Sequence, residues 1–249
     1  YATAYSTILK IEKILGTSVE IYFQKSALQE ELKNIDLAIN LMYEAYSVDS
    51  SNINILQRIV TLLMDQNKKE EAIFYNKKIT KKFPNDSKGF INIALMALSA
   101  EKPEEAIDIL GRYSEKFNDD FTLQYLLGNA YYQKKNYTDA KHHLNQALTI
   151  FPESRNTKHN LALIYDSTNE WDESDKLYTE LISSDSLDAQ AYNNFAYSLV
   201  EREENLDLAL ELSLTAIKLS PQSAAYLDTA GWIYYKMKQF DKALKYIEE

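Results

Sequence analysis

The chain has 249 residues, 45% of them hydrophobic and 26% charged, and a formal net charge of −10. Such a composition belongs to ordinary globular proteins, and its acidity speaks against a nucleic-acid partner, which a basic face would meet. Cysteine is absent, which excludes disulfides, thiol catalysis and cysteine-based zinc sites.

Glycine (5) and proline (4) are scarce, which leaves few tight turns. The remainder mixes Ala, Leu, Lys, Glu and Gln with a 3.6-type period, so the expected class is all-α. No run of 18 apolar residues occurs, so no helix is expected to insert into a membrane.

The first segment, YATAYSTILKIEKIL, reads as one helix. From residue 19 onward the chain reads as helix pairs on a fixed ruler. Small residues follow helix starts at Ala4, Ala38, Ala72, Ala106, Ala140, Ser174, Ala209 and Ala243, spaced by 34 residues with one step of 35. Pro84, Pro152 and Pro221 keep the same ruler, each placed to end a second helix. Pro103 instead opens one, where its missing N–H costs nothing.

These spacings divide residues 1–249 into a single array. Residues 1–18 are the second helix of a truncated repeat; full repeats follow at 19–52, 53–86, 87–120, 121–154, 155–188 and 189–223; residues 224–249 are a truncated last repeat. In the fourth repeat the first helix is expected from about Phe121 to Lys134 and the second from about Tyr137 to Ile150. The one extra residue falls in the polar run Glu201–Asp207, where a turn tolerates insertion. Because both ends cut a repeat, the chain is expected to be an excerpt of a longer array or protein. Gly128, Ala162, Ala196 and Gly231 are small where a second helix must approach closely, with Ala140 and Ala243 as their counterparts. Tyr137, Trp171 and Phe240 open second helices and are expected to fill the wedge between the pair.

A 34-residue helix–turn–helix with a small residue in each helix, an aromatic between them and a closing proline resembles the tetratricopeptide repeat (TPR) of bacterial proteins. The resemblance runs along essentially the whole chain and is strongest in AYNNFAYSLVEREENLDLALEL and AYLDTAGWIYYKMKQFDKAL. Around residues 19–100 it rests on register, since Ser26, Val60 and Ala94 stand in the place of Gly128, and Gln29 in that of Tyr131. It implies an α-solenoid wound as a right-handed superhelix. It also implies a concave face, lined by the first helices, that binds a partner protein or an extended peptide without catalysis and without a cofactor.

Carried onto this sequence, that face holds Tyr125, Asn129 and Tyr132 in the fourth repeat, and Asn156, His159, Asn160, Leu163 and Asp166 in the fifth. Gln190, Asn193, Tyr197 and Glu201 follow in the sixth, and Asp228, Trp232 and Tyr235 in the last. Amides can hold a peptide backbone through both donor and acceptor, and Tyr and Trp are common binding anchors. Some TPR domains grip a chaperone's C-terminal carboxylate with two Asn and three basic residues. Asn129 and Asn160 match the two Asn, but Tyr125, Gln190 and Asn194 stand at the basic places. Without cations there, a carboxylate would lack its charge-assisted bonds. Residues 1–120 carry 15 basic and 18 acidic side chains, and residues 121–249 carry 12 and 19, so acidity concentrates where the repeats are clearest. On the face, Glu20, Glu30, Glu31, Asp65, Asp166, Glu201 and Asp228 outnumber Lys88 and Lys236. The expected partner segment is therefore neutral to basic, with apolar side chains.

Two alternatives stay open: the substrate-recognition arm of a larger enzyme, as in some glycosyltransferases, or a structural tether in a bacterial envelope complex. The compartment is equally open between bacterial cytoplasm and periplasm or envelope. No metal site is expected. His142 and His143 are adjacent on one helix and point to different faces, and His159 stands alone, short of the ligand spacings zinc requires. No glycine-rich phosphate loop is possible with 5 scattered glycines.

Overall fold

A computed structural model describes residues 1–248; Glu249, the end of the last expected repeat, lies outside them. Every regular element among the described residues is a helix. They fall into two compact units, Tyr1–Asn118 and Asp119–Glu249. The first unit holds α1 (Ala2–Leu15), α2 (Val19–Glu31), α3 (Ile35–Val48), α4 (Ile53–Asp65), α5 (Lys69–Lys82), α6 (Lys88–Ser99) and α7 (Pro103–Gly111). The second holds α8 (Phe121–Gln133), α9 (Tyr137–Ile150), α10 (Arg155–Ser167), α11 (Trp171–Ser184), α12 (Ala189–Glu201), α13 (Leu206–Leu219), α14 (Ala224–Lys236) and α15 (Phe240–Glu248). The architecture is an all-α solenoid of helix pairs, each with a first (A) and a second (B) helix.

Local chemistry sets the helix ends. Ser18, Asn52, Asp120, Ser154 and Asp188 cap A helices by accepting a hydrogen bond from a backbone N–H of the first turn. Pro84, Pro152 and Pro221 each lie just beyond a B helix, and Pro103 opens α7. Each A-to-B turn contains a non-glycine residue in the left-handed region: Lys33, Asn67, Glu101, Lys135, Asn169, Glu203 and Lys238. The residue after it donates its N–H to a carbonyl in the last turn of the A helix, as in Asn136 to Tyr131 at 2.9 Å and Gln239 to Tyr234 at 2.9 Å. This bond closes the helix as glycine would, at some steric cost. The extra residue sits where α12 meets α13: residues 202–205 connect them, and Asn205 adds a second left-handed residue and caps α13.

From Ala38 onward the small residues are buried as the register requires, whereas Ala4, on the first helix with no preceding helix to cover it, is exposed. Ala38, Ala72, Ala140, Ala162, Ala196 and Ala209 are fully enclosed. The wedge role expected of the B-helix aromatics differs among repeats. Tyr137 and Trp171 are half-buried, but Phe240 is exposed and touches Tyr235 with its ring edge, 5.6 Å between centroids. In the first unit, α7 ends at Gly111, shorter than the other complete B helices. The chain then continues in turns, with Tyr113 and Phe117 folded against Phe90.

Within the second unit, the A helices α8, α10, α12 and α14 each approach the next A helix, with Cα atoms within 8 Å, while no two B helices approach so closely. The A side is therefore the inner side of that unit's curve, and the B side the outer.

Candidate functional site

Position on the A helices is set by the repeat. Tyr125, His159, Asn193 and Asp228 occupy one register position; Asn129, Leu163, Tyr197 and Trp232 the next turn; Tyr132, Asp166, Val200 and Tyr235 the turn after. Successive members lie on adjacent helices, and i, i+4 neighbours share a face.

At the α8 end, Tyr125, Asn129, Tyr132 and Asn160 are half-buried. Asn160 Nδ2 donates to Asn129 Oδ1 at 2.6 Å and approaches the Tyr125 hydroxyl at 3.4 Å. The three side chains expected at places of the carboxylate clamp thus meet, and they bind one another. Tyr125 stacks on Phe121, 5.8 Å between centroids. Tyr132 leans on Tyr137 at 6.1 Å, and burial pushes its hydroxyl pKa up.

At the α14 end, Tyr197, Asp228 and Tyr235 are exposed and Trp232 is half-buried. Tyr197 and Trp232 meet edge to face across α12 and α14, 5.3 Å apart. Tyr197 and Tyr235 expose 45% and 58% of their surface, large values for aromatics in a repeat core. Lys236 Nζ lies 6.0 Å from the Trp232 ring and 2.7 Å from Glu203.

Between these ends Asn156 and Gln190 are exposed, but the middle of the face is closed at two expected positions. His159 and Asn193 are buried, so neither offers the exposed contact expected of it. Asp188 draws His159 inward: its Oδ2 accepts from His159 Nε2 at 2.9 Å and from Arg155, while its Oδ1 caps α12 through Ala191 N at 3.0 Å. Burial alone would raise the Asp188 carboxyl, but the bonds from Arg155, Ala191 and His159 outweigh it and hold the carboxyl below its usual pKa. Asp166, expected on the groove, is consumed inside: it accepts from Tyr178 Oη and from Ser198 Oγ, both at 2.7 Å.

The sequence reading missed Arg202. It follows α12 in the run expected to be a plain polar turn, yet its side chain is only 6% exposed. Its Nη2 donates to both Asp175 oxygens at 2.8 and 2.7 Å, and its guanidinium lies 5.4 Å from the Trp171 ring centre. No other A-to-B turn has an arginine at that place, which was the one available signal.

Of the other histidines, His143 is half-buried, stacked on Tyr131 at 5.5 Å and bonded through Nδ1 to Gln124 Oε1 at 2.7 Å. Burial first, and the neighbouring His142 second, lower its pKa to about 4. The unfolded chain, with its histidine near 6.5, then binds more protons between about pH 4 and 6.5. Stability from this group is therefore complete above that window and is lost as pH falls through it. The urea midpoint of the second unit should fall from pH 7 to 4, and His143→Gln should flatten that slope. An unchanged slope in the variant would contradict the assignment. Among the described residues, no three His, Cys, Asp or Glu side chains converge to hold a metal, and no helix is long and apolar enough to cross a membrane.

Comparison with known proteins places these repeats. Models described as tetratricopeptide repeat match residues 121–154, 159–190 and 224–249. The chain is 28% identical over 106 residues to the TPR repeat-containing protein PA4667 of Pseudomonas aeruginosa, covering 43% of this chain and 18% of that one. It is 30% identical over 140 residues to the type IV pilus assembly protein PilF of the same organism, covering 55% of each. The chain thus spans about half or less of the length of these curated relatives. Among solved structures, a tetratricopeptide repeat protein from Parabacteroides merdae superposes with a TM-score of 0.72 at 18% identity, over 92% of this chain and 91% of that one. YrrB, described as a TPR protein with an unusual peptide-binding site, superposes at 0.57 with 22% identity, over 70% and 89%. At such identities the structures show a shared fold alone. With its 34-residue register, paired helices and repeat matches, the chain is a tetratricopeptide-repeat protein of the bacterial type.

Proposed function

We propose that the second unit is a non-catalytic interaction scaffold whose A-helix face holds an extended segment of a partner protein, neutral to basic and bearing apolar side chains. The observation that carries this reading is the mutual approach of α8, α10, α12 and α14, which makes their shared face the inner one. That face keeps Tyr197 and Tyr235 open to solvent, together with half-buried Tyr125, Asn129, Tyr132 and Trp232. Rigid aromatics give contact area at low entropic cost, and amides pair with a backbone. The likeness to YrrB supports a peptide as the ligand class. A role as a tether in an envelope assembly is a second reading, supported by the 30% identity to a pilus assembly protein.

Affinity capture from a lysate of the source cells, with the full chain as bait, tests the first reading. Partners retained by the native chain should be lost from a Tyr125→Ala/Asn129→Ala/Trp232→Ala variant of unchanged helicity. An identical capture profile for both baits would argue that the inner face is not the site.

A further inference from the structure

At the α12–α14 end of the inner face, two exposed carboxylates, Glu201 and Asp228, accompany the Tyr197 and Trp232 rings, and Glu201 accepts from the Tyr197 hydroxyl. Asn193, Tyr197 and Glu201 follow each other at i, i+4 spacing on α12, so they lie on one face of that helix. Asp228 stands at the register position of Asn193 on the adjoining α14, and Trp232 at that of Tyr197. Asn193 itself is buried, so the groups of this corner open to a ligand are Tyr197, Glu201, Asp228 and Trp232. Glu201 and Asp228 are both exposed, both place negative charge near the Tyr197 hydroxyl, and neither is in an ion pair among the described residues. Between them stand the Tyr197 and Trp232 rings, whose faces attract cations. The chain already shows the preference of this corner, since Lys236 lies 6.0 Å from the Trp232 ring with Glu203 as its counter-ion.

Resting on the scaffold reading above, we propose that this corner is a specificity site for an arginine side chain of the partner segment, seated against Tyr197 and Trp232 between Glu201 and Asp228. Arginine fits better than lysine for two reasons. Its planar guanidinium stacks on aromatic faces, and its five donors can serve two carboxylates at once. The ammonium of lysine is a compact and strongly hydrated point charge. An acidic segment is repelled by the same groups.

The probe is a random nonapeptide library displayed on phage and selected on the full chain, in parallel with a Glu201→Gln/Asp228→Asn variant. Both substitutions are at exposed sites and keep the side-chain shape, and a thermal melt confirms that the variant is folded. Arginine should be enriched at one fixed place among peptides selected by the native chain, and that enrichment should vanish on the variant. In a synthetic selected peptide, arginine→citrulline removes the charge but keeps the shape, and should weaken binding about tenfold or more. Selected peptides without arginine, or arginine enrichment that persists on the variant, would overturn this proposal and leave the scaffold reading standing. Failure to recover any binding peptide would overturn both.

Discussion

Arg202→Ala should lower the stability of the second unit by about 3 kcal/mol, the low end of the 3–5 kcal/mol typical of a buried ion pair broken from one side. The arginine side chain is 6% exposed and its Asp175 partner 36%, so the orphaned carboxylate would regain part of its hydration. Burial already raises the Asp175 carboxyl despite Arg202 beside it, which marks the site as short of water. The substitution also strips the stem and guanidinium from the Trp171 ring, 5.4 Å away. Glu204 lies 3.2 Å from Nε but out of line for a hydrogen bond, so it adds little. Arg202→Lys keeps the charge but loses the planar guanidinium, whose Nη2 reaches both Asp175 oxygens and which lies against Trp171, so its cost should lie between zero and that of Arg202→Ala. Both tryptophans, Trp171 and Trp232, are in the second unit, and urea unfolding followed by their fluorescence reads the effect. A loss of under about 1 kcal/mol, as at an exposed pair, would show that the turn does not depend on this residue.

The two glycines of the repeat signature should respond in opposite directions to alanine. A Cβ on Gly128 would stand 2.5 and 2.7 Å from Leu144 Cγ and Cδ2, and 3.3 Å from the Ala140 carbonyl oxygen. Leu144 is fully enclosed and cannot turn away. Overpacking of this kind costs about 1–3 kcal/mol, more than the roughly 1 kcal/mol that alanine gains over glycine in a helix. Gly128→Ala should therefore destabilise. At Gly231 the same atom meets Ile247 Cγ1 at 3.0 Å and the Ala243 oxygen at 3.4 Å. Ile247 is 62% exposed and free to swing aside, so the helix gain survives and Gly231→Ala should be neutral or stabilising by up to about 1 kcal/mol. Equal shifts of the urea midpoint in the two variants would contradict this.

That contrast marks where sequence reading reaches its limit. Register placed Gly128 and Gly231 as equivalents, because a period records which atoms face a neighbouring helix. It does not record whether the neighbour is clamped, as Leu144 is, or loose, as Ile247 is. The helix class, the turns and the prolines were legible for a similar reason: each depends on local chemistry repeated every 34 residues. The left-handed Lys33, Lys135 and Lys238 were not, since the turn's hydrogen bond imposes that conformation on whichever residue falls there. On the inner face, the exposure of Tyr197 and Tyr235 followed from register, but the fates of His159 and Asp166 did not. Asp188 captures His159 from 29 residues away, and Ser198 binds Asp166 from 32. Arg202 reaches Asp175 across 27 residues, a pairing that no repeat-to-repeat comparison exposes.

The claim that the inner face of the second unit receives the partner is tested most directly by site-specific photo-crosslinking. A photoreactive phenylalanine analogue at Tyr197 or Tyr235, on the inner face, is compared with one at Glu211, an exposed residue of the B helix α13. Adducts to a partner should form from Tyr197 and Tyr235 and be absent from Glu211. Adducts to the same partner from Glu211 alone would place binding on the outer face and contradict the account.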